Sequence, residues 1–534
     1  MGMVMPISSP EPLHCDVLVV GSGAAALTAA LVTSAAGLST LIVEKAKYLG
    51  GTTAWSGAAI WVPANHHAAA AGLDDNTDDA LAYVAAAAPS GWAATEAPLW
   101  RAFVQQAPRM LAFVEAHTRL RMALTTQADP LATLPGARMV GRMLSPLALP
   151  RRLAGRFRHL IQPARPWHLF TFQEMLACDP LRRPIRAGIC HAPRLLWRLL
   201  TGARAQGTAL VVGLLRGCLD QDCQVLLNTP ACALIIQDGV VQGAVVRQKG
   251  RMRPVIARRG VILASGGFEW DPSRRERHFP GMPCLIASPE SNTGDAHRMV
   301  EAVGGQLARM DQANWSPGIP TGDAGDLSAM SVYFHQDPAA ILVDRAGRRF
   351  VDEGDFNLGA LLVRPAETGE GPEHLPAWCI ADRGLLHRAP LLRWFARRRR
   401  SWITCAATIP ALATRIGLPK ASLDETVARY NDACRTGIDA LFGRAAKGVP
   451  GMAPIGPRHV VALPLIPTFV STKGGPRTTD RGQVVDTTGV PIPGLFCCGV
   501  AMANPIGSRA VGAGTTIGPN MTWGYICGRS LVDG

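Results

Sequence analysis

Apolar and small residues fall into one telling order near the start of the chain: the run Val17 to Val20, the turn Gly21-Ser22-Gly23, a small-residue stretch from Ala24 onward, and a second apolar run Thr40 to Val43 closed by Glu44. That order predicts a buried strand, a tight turn, a helix and a second strand. Later, Val225 to Leu227 reads as a strand after a helix end, and Asp238-Gly239 stands at the tip of a hairpin with apolar alternation on each side. Gly260 to Phe268 (GVILASGGF) is another buried strand ending on glycines. Gly494 to Gly499 is a short strand meeting a glycine, and Gly512 to Gly518 opens the last helix.

The first unit has the spacing of a dinucleotide-binding βαβ motif. Gly21 permits the turn, Gly23 lets backbone N–H groups approach a pyrophosphate, Ala26 lets the helix pack on its strand, and the helix N-terminus faces the phosphates. Glu44 stands where a carboxylate accepts from ribose hydroxyls. The loop Gly50 to Gly57 (GGTTAWSG) is small and hydroxyl-bearing, which suits a flat ring system lying against the backbone. At the far end, the helix start at Gly512 to Gly518 can hold negative charge developing on a flavin ring or a substrate oxygen.

At 534 residues, with 55 glycines and 41 prolines, the chain is long enough for two or three domains with many turns. No apolar run approaches the ~20 residues of a membrane-spanning helix, and the opening residues lack the pattern of an export signal, so the cytoplasm is the expected location. Thirteen cysteines without CxxC or CxxCH spacing predict reduced thiols and no zinc, iron–sulfur or c-type haem site. The net charge is +14, and arginine gathers in two stretches, 151–198 and 393–402. Arginine interleaved with Trp, Phe and Leu suits peripheral contact with an anionic membrane. A solvated basic face, or a lining that attracts an acidic substrate, uses the same residues. Nucleic acid is not expected, because no nucleic-acid-binding motif accompanies the charge.

In this order the pieces resemble the FAD-dependent oxidoreductases of the fumarate reductase and 3-ketosteroid dehydrogenase superfamily, with the nearer likeness to the 3-ketosteroid 1-dehydrogenases. The resemblance is carried by VVGSGAAALTAAL, LSTLIVEKAKYLGGTTAWSGAAIWVP, VILASGGFE, SNTGDAHRM, GRRFVDE, TVARYN, and KGGPRTTDRGQVVDTTGVPIPGLFCCG through GAGTTIGPNMTWGY. It implies an α/β fold: a Rossmann-like FAD-binding domain of glutathione-reductase type, residues 10–290 and 455–534, interrupted by an α+β substrate domain, residues 291–454. It implies non-covalent FAD, since the histidine that bonds the flavin in some relatives just after GGxT has no counterpart in residues 52–59. His66 and His67 come later and read as loop or helix-start residues.

The same resemblance places the diphosphate on Gly21, Ser22, Gly23, Ala24, Ala25 and Ala26, and the adenosine ribose on Glu44 with Lys45 beside it. The flavin ring would lie along Gly51, Thr52, Thr53, Ser56 and Gly57. Ala231 would meet adenine, Ser265 and Gly266 the pyrophosphate side, and Gly499, Thr516 and Ile517 the ribityl chain and ring.

The implied reaction is desaturation next to a ring ketone of a steroid-like substrate. The ketone is polarised, a base takes the α-proton, and hydride leaves the β-carbon for flavin N5, with electrons passing to an external acceptor such as a quinone. One ketone donor of the relatives, a backbone N–H in the glycine turn, maps onto Gly514. Their tyrosines do not map: Ala510 stands in the G-x-T-Y-P-G-x-G turn, Glu353 to Asn357 lacks the tyrosine that follows R-F-x-N-E, and Pro130-Leu131 precede the counterpart of P-G-G-R. Arg509, beside the turn, would clamp a carboxylate or deliver a proton, or form a salt link within the domain. Tyr333 and His335 would be donors in the pocket or structural loop residues, and Asp352, Glu353 and Asp355 read as capping and surface charge. The alternatives are reduction of an unsaturated carboxylate, as in fumarate reductases, and a flavin-binding protein that has lost catalysis.

Overall fold

The computed structural model describes residues 11–534 apart from 165, 324, 332, 370, 399–401 and 445–450. Its first sheet grows from the strand Leu13–Val20, whose last four side chains are buried. That strand pairs in parallel with Thr40–Val43 on one side and with Arg251–Leu263 on the other. Gln224–Leu226 and Pro491–Cys497 extend the sheet in parallel, and Gln483–Val485 closes one edge antiparallel. The hairpin expected at Asp238-Gly239 is present as Ala231–Gln237 against Val240–Gln248, joined antiparallel to Arg251–Leu263. The helix Ala24–Ala35 packs against both Gln206–Asp220 and Ile517–Asp533, and every residue but its last is buried. Its small side chains suit this position, because a helix covered all round has no use for a polar face.

A second sheet is built on one long strand, Arg458–Thr472. The end of this strand pairs antiparallel with Ala313–Pro320, and its start pairs with Ala377–Asp382 and Thr404–Thr408. Ala329–Ser331 and Ala340–Val343 flank it, and Leu285–Ile286 adds a short parallel pair. Residues 285–286 and 458–472 therefore share a sheet with strands from within 291–454. A strand's own apolar pattern reports that it is buried, not which sheet it enters.

The acidic run at 352–355 also departs from expectation. Asp352 and Asp355 do hold turns, accepting from the Gly354 and Asn357 N–H groups at 2.9 and 2.7 Å. Glu353, however, is 0% exposed and takes two bonds from Arg349 at 2.9 and 2.8 Å and one from Arg444 at 3.2 Å. Arg349 also grips Asp439, so each buried charge has a partner, as burial demands. All thirteen cysteines are unbridged. No helix among the described residues is long and apolar enough to cross a membrane.

Candidate functional site

Gly21 adopts φ +112°, and a Cβ there would stand 2.3 Å from the Ala264 carbonyl oxygen, so only glycine lets the turn pass the neighbouring strand end. Above it lies a cleft lined by Gly21, Ser22, Gly23, Ala24 and Ala25 of the turn and by Glu44 and Lys45 after the second strand. Gly51, Thr52 and Thr53 close one side; Ala231, Ser265, Gly266 and Gly499 close the others. The helix Ala24–Ala35 opens onto this cleft with Gly23 as its N-cap and no capping side chain, while Thr53 Oγ1 accepts from the Ala24 N–H at 3.0 Å. A helix start of this kind presents donors and a positive dipole end to an anion.

Other expected residues lie just off the cleft. Ala26 is sealed in the helix–sheet contact. Ser56 bonds within its own loop, donating to the Thr53 carbonyl at 2.7 Å and accepting from the Ala58 N–H at 3.1 Å. A Cβ on Gly57 would come 2.9 Å from the ring of Phe172. Thr516 caps and Ile517 begins the last helix, and Asn520, one turn on, lines the cleft.

Glu44 is buried, which raises its pKa above the ordinary value even though Ser22 Oγ (2.6 Å) and the Ala46 N–H (2.8 Å) both favour the anion. Lys45 Nζ pairs with Asp295 at 2.5 Å and donates to Thr293 Oγ1 at 2.7 Å. Asn292 Nδ2 donates to Thr52 Oγ1 at 3.0 Å and to Glu269 Oε1 at 2.7 Å. Asn292, Asp295, Thr229 and Asn520 line the cleft without having been singled out from the sequence. The segment SNTGDAHRM contained the first two, and was the signal available.

The C-terminal glycine turn forms a second feature. Gly514 sits at φ +94°, where a Cβ would come 2.4 Å from the Ala59 carbonyl oxygen. Its carbonyl accepts from the N–H groups of Trp61 (3.3 Å) and Gly518 (2.9 Å), while its own N–H donates to none of the described residues. The preceding loop is held from several sides. Trp100 Nε1 donates to the Pro505 carbonyl at 2.8 Å, Tyr83 Oη to that of Val511 at 3.0 Å, and Lys473 Nζ to that of Gly507 at 2.5 Å. Ser508 Oγ donates to Gln312 Oε1 at 2.7 Å, and Asn357 bonds the backbone of Ala510 twice. Against this fixed backbone Arg509 is exposed, and it forms neither hydrogen bond nor ion pair with the described residues.

Tyr333 keeps 46% of its surface open, yet burial pushes its phenol pKa up. Its ring lies 5.9 Å from that of His335, which is buried with neither ring nitrogen partnered among the described residues. Burial, with the charges of Arg182 and Arg444, pushes the His335 pKa down to about 3, so it is neutral. Lys473, in the KGG segment but not singled out from it, is buried, which lowers its pKa to about 8. His66 and His67 begin the short helix His66–Ala70, as expected, and both direct Nε2 at Glu115 Oε2, at 2.8 and 2.9 Å. With Glu115 they form the one trio of metal-ligating side chains within mutual reach among the described residues.

A 4-oxocyclohexanecarboxylate 2-dehydrogenase of Sinomonas cyclohexanicum is 33% identical, over 98% of this chain and 94% of that protein. A 3-oxosteroid 1-dehydrogenase of Mycobacterium tuberculosis is 32% identical, over 97% and 98%. The crystal structure of 3-ketosteroid delta1-dehydrogenase from Sterolibacterium denitrificans with 1,4-androstadiene-3,17-dione superposes with a TM-score of 0.88 at 30% identity, covering 97% of this chain and 99% of that one. A flavocytochrome c3 fumarate reductase shares the fold at 20% identity and a TM-score of 0.66. The FAD binding domain family matches residues 16–517. FAD is accordingly the cofactor, and the chain belongs to the FAD-binding family that includes the 3-oxosteroid 1-dehydrogenases.

Proposed function

We propose that this protein is an FAD-dependent dehydrogenase that introduces a C=C bond next to the ring ketone of a steroid-like substrate. The observation that carries the reading is the Gly514 N–H, free of any described partner in a turn whose carbonyl is held from two sides. A donor fixed in this way stabilises charge on a ketone oxygen as the α-proton leaves, with little reorganisation. When bound, FAD supplies a hydride acceptor at N5 and a route for the electron pair to an external acceptor such as a quinone. Gly21 to Ala25 and Glu44 would hold its nucleotide half, with Ala26 packing the helix behind them, and Gly51 to Thr53 and Gly499 would hold its flavin half, with Ser56, Gly57 and Thr516-Ile517 supporting the walls. The first sheet forms the cofactor domain, and the sheet built on Arg458–Thr472 forms the substrate domain. Tyr333, kept protonated by its raised pKa, donates from the substrate-side wall. The protein meets the membrane at its periphery. Relatives named for 3-oxosteroids and the steroid-bound neighbour support the substrate class.

A second reading is favoured by Arg509. An exposed guanidinium with no described partner, beside the donor turn, suits a ring ketone that carries a carboxylate. Two relatives named for oxocyclohexane- and oxocyclohexene-carboxylates are consistent with it. Anaerobic titration separates the readings: the oxidised flavin band bleaches with a saturated 3-ketosteroid under the first and with 4-oxocyclohexanecarboxylate under the second. Reoxidation of dye-reduced protein by fumarate, with no bleaching by either ketone, would overturn both.

A further inference from the structure

We propose that the helices Pro184–Cys190 and Ala192–Thr201 dock this protein on the surface of an anionic lipid bilayer. The second helix is built inside out. Its Arg198 is 5% exposed and donates to the two Glu174 oxygens at 2.6 and 3.0 Å and to the Leu169 carbonyl at 2.6 Å, while Leu196, Trp197, Leu199 and Leu200 face outward. A surface helix facing only water turns these residues the other way. On the helix it contacts, Ile185 and Ile189 are 79% and 72% exposed and lie beside the arginines of that helix's start. Scattered exposed apolar residues are ordinary, but six large ones on two short helices in contact mark an interaction face.

Charge selects the occupant. Arg182, Arg183 and Arg186, from the first arginine-rich stretch, share a hollow with Ile185, Ile189, His387 and Pro390, the last of these a few residues before the second stretch. The helix Pro390–Arg398 adds an exposed Trp394; residues 399–401 of its stretch lie outside those described. Guanidinium groups beside Trp, Ile and Leu match a phosphate layer over an acyl boundary. A second copy would bring arginine against arginine, which opposes a dimer through this face.

The face adjoins the candidate site. Phe172 packs on Gly57, and the helix it begins, Phe172–Cys178, carries the Glu174 that anchors Arg198. Arg182 bears electrostatically on His335, beside Tyr333. The inference rests on the ring-ketone reading only in supplying a reason: an apolar ketone and a quinone both concentrate in a bilayer. Docking would place their source at the mouth of the cleft.

The test is co-sedimentation of the flavin-loaded protein with vesicles of phosphatidylcholine alone and with phosphatidylglycerol added, at low and high salt. The variant is Ile185→Glu/Ile189→Glu/Leu200→Glu, whose changes are all on exposed side chains. The expected result is binding to anionic vesicles, weakened by salt and by omission of phosphatidylglycerol, with at least about a tenfold loss of partitioning in the triple variant. Wild-type protein that stays in the supernatant, or a triple variant that binds equally, overturns the proposal. So does a wild-type dimer that the variant converts to monomer. Flavin content and turnover with a soluble dye acceptor, read separately, report on the ring-ketone reading without touching this one.

Discussion

Asn357 and Ala510 grip each other across 153 residues of sequence: the Asn357 amide donates to the Ala510 carbonyl at 3.2 Å, and its oxygen accepts from the Ala510 N–H at 2.7 Å. These positions were aligned from the sequence with tyrosine-bearing segments of the relatives. Here an amide–backbone pair fixes the middle of the Gly507–Gly514 loop. Asn357→Ala leaves that backbone segment unpinned, with an expected fall in flavin-reduction rate of about ten- to a hundredfold. Stopped-flow bleaching at unchanged flavin content checks it; an unaltered rate rules out a positioning role for Asn357.

Arg509 stands exposed beside the Gly514 turn with no described partner. Arg509→Gln is expected to raise KM for 4-oxocyclohexanecarboxylate by about ten- to a hundredfold, the worth of a charge-assisted bidentate contact. KM for a neutral 3-ketosteroid changes by less than about threefold if the guanidinium serves a carboxylate alone. Equal losses with both substrates would show that Arg509 acts on something they share.

Lys473 is buried with its ammonium on the Gly507 carbonyl, and burial pushes its pKa down to about 8. Below that pH the bond is charge-assisted; above it the amine is neutral and its hold on the loop weakens. The kcat/KM profile is therefore expected to fall through an inflection near pH 8. Lys473→Met should remove that inflection and lower turnover about tenfold at neutral pH. An inflection that persists in the variant assigns it to another group.

His297 is buried, donates from Nε2 to the Gly474 carbonyl at 2.9 Å, and has its pKa lowered from 6.5 to about 4 by burial. The unfolded ring takes up its proton at the higher value, the folded ring only at the lower one. Stability owed to the neutral ring is thus complete above pH 6.5 and is lost as pH falls toward 4, a matter of about 3 kcal/mol. Urea unfolding midpoints at pH 7 and pH 5 should separate in the wild type and draw together in His297→Asn. Parallel pH dependence in the two proteins would assign the effect elsewhere.

Much of the cofactor cleft was legible because its chemistry is local. A turn that passes a strand end needs glycine at 21, and a helix start that meets phosphate needs small residues at 23–26; such requirements leave marks at fixed spacing. Thr229, the neighbours Asn292 and Asp295, and Asn520 were not singled out because they reach the cleft from three separate parts of the chain, outside the glycine turns. Glu353 looked like a cap because its sequence neighbours are caps. The partners that bury it, Arg349 and Arg444, become visible only when the substrate-side sheet is assembled. Lys473 hid among glycines read for their backbone, and the strand before it carries no mark of the sheet it joins. The outward leucines of Ala192–Thr201 could not be told from inward ones until Arg198 was seen to occupy the buried side.

The long strand Arg458–Thr472 runs directly into Lys473. The second sheet is thus joined to the Gly507 carbonyl by continuous backbone, one lysine side chain and one hydrogen bond. The segment that orders the second sheet and the loop that presents the Gly514 amide are therefore tied through one side chain, so a substitution that shifts either is felt by the other.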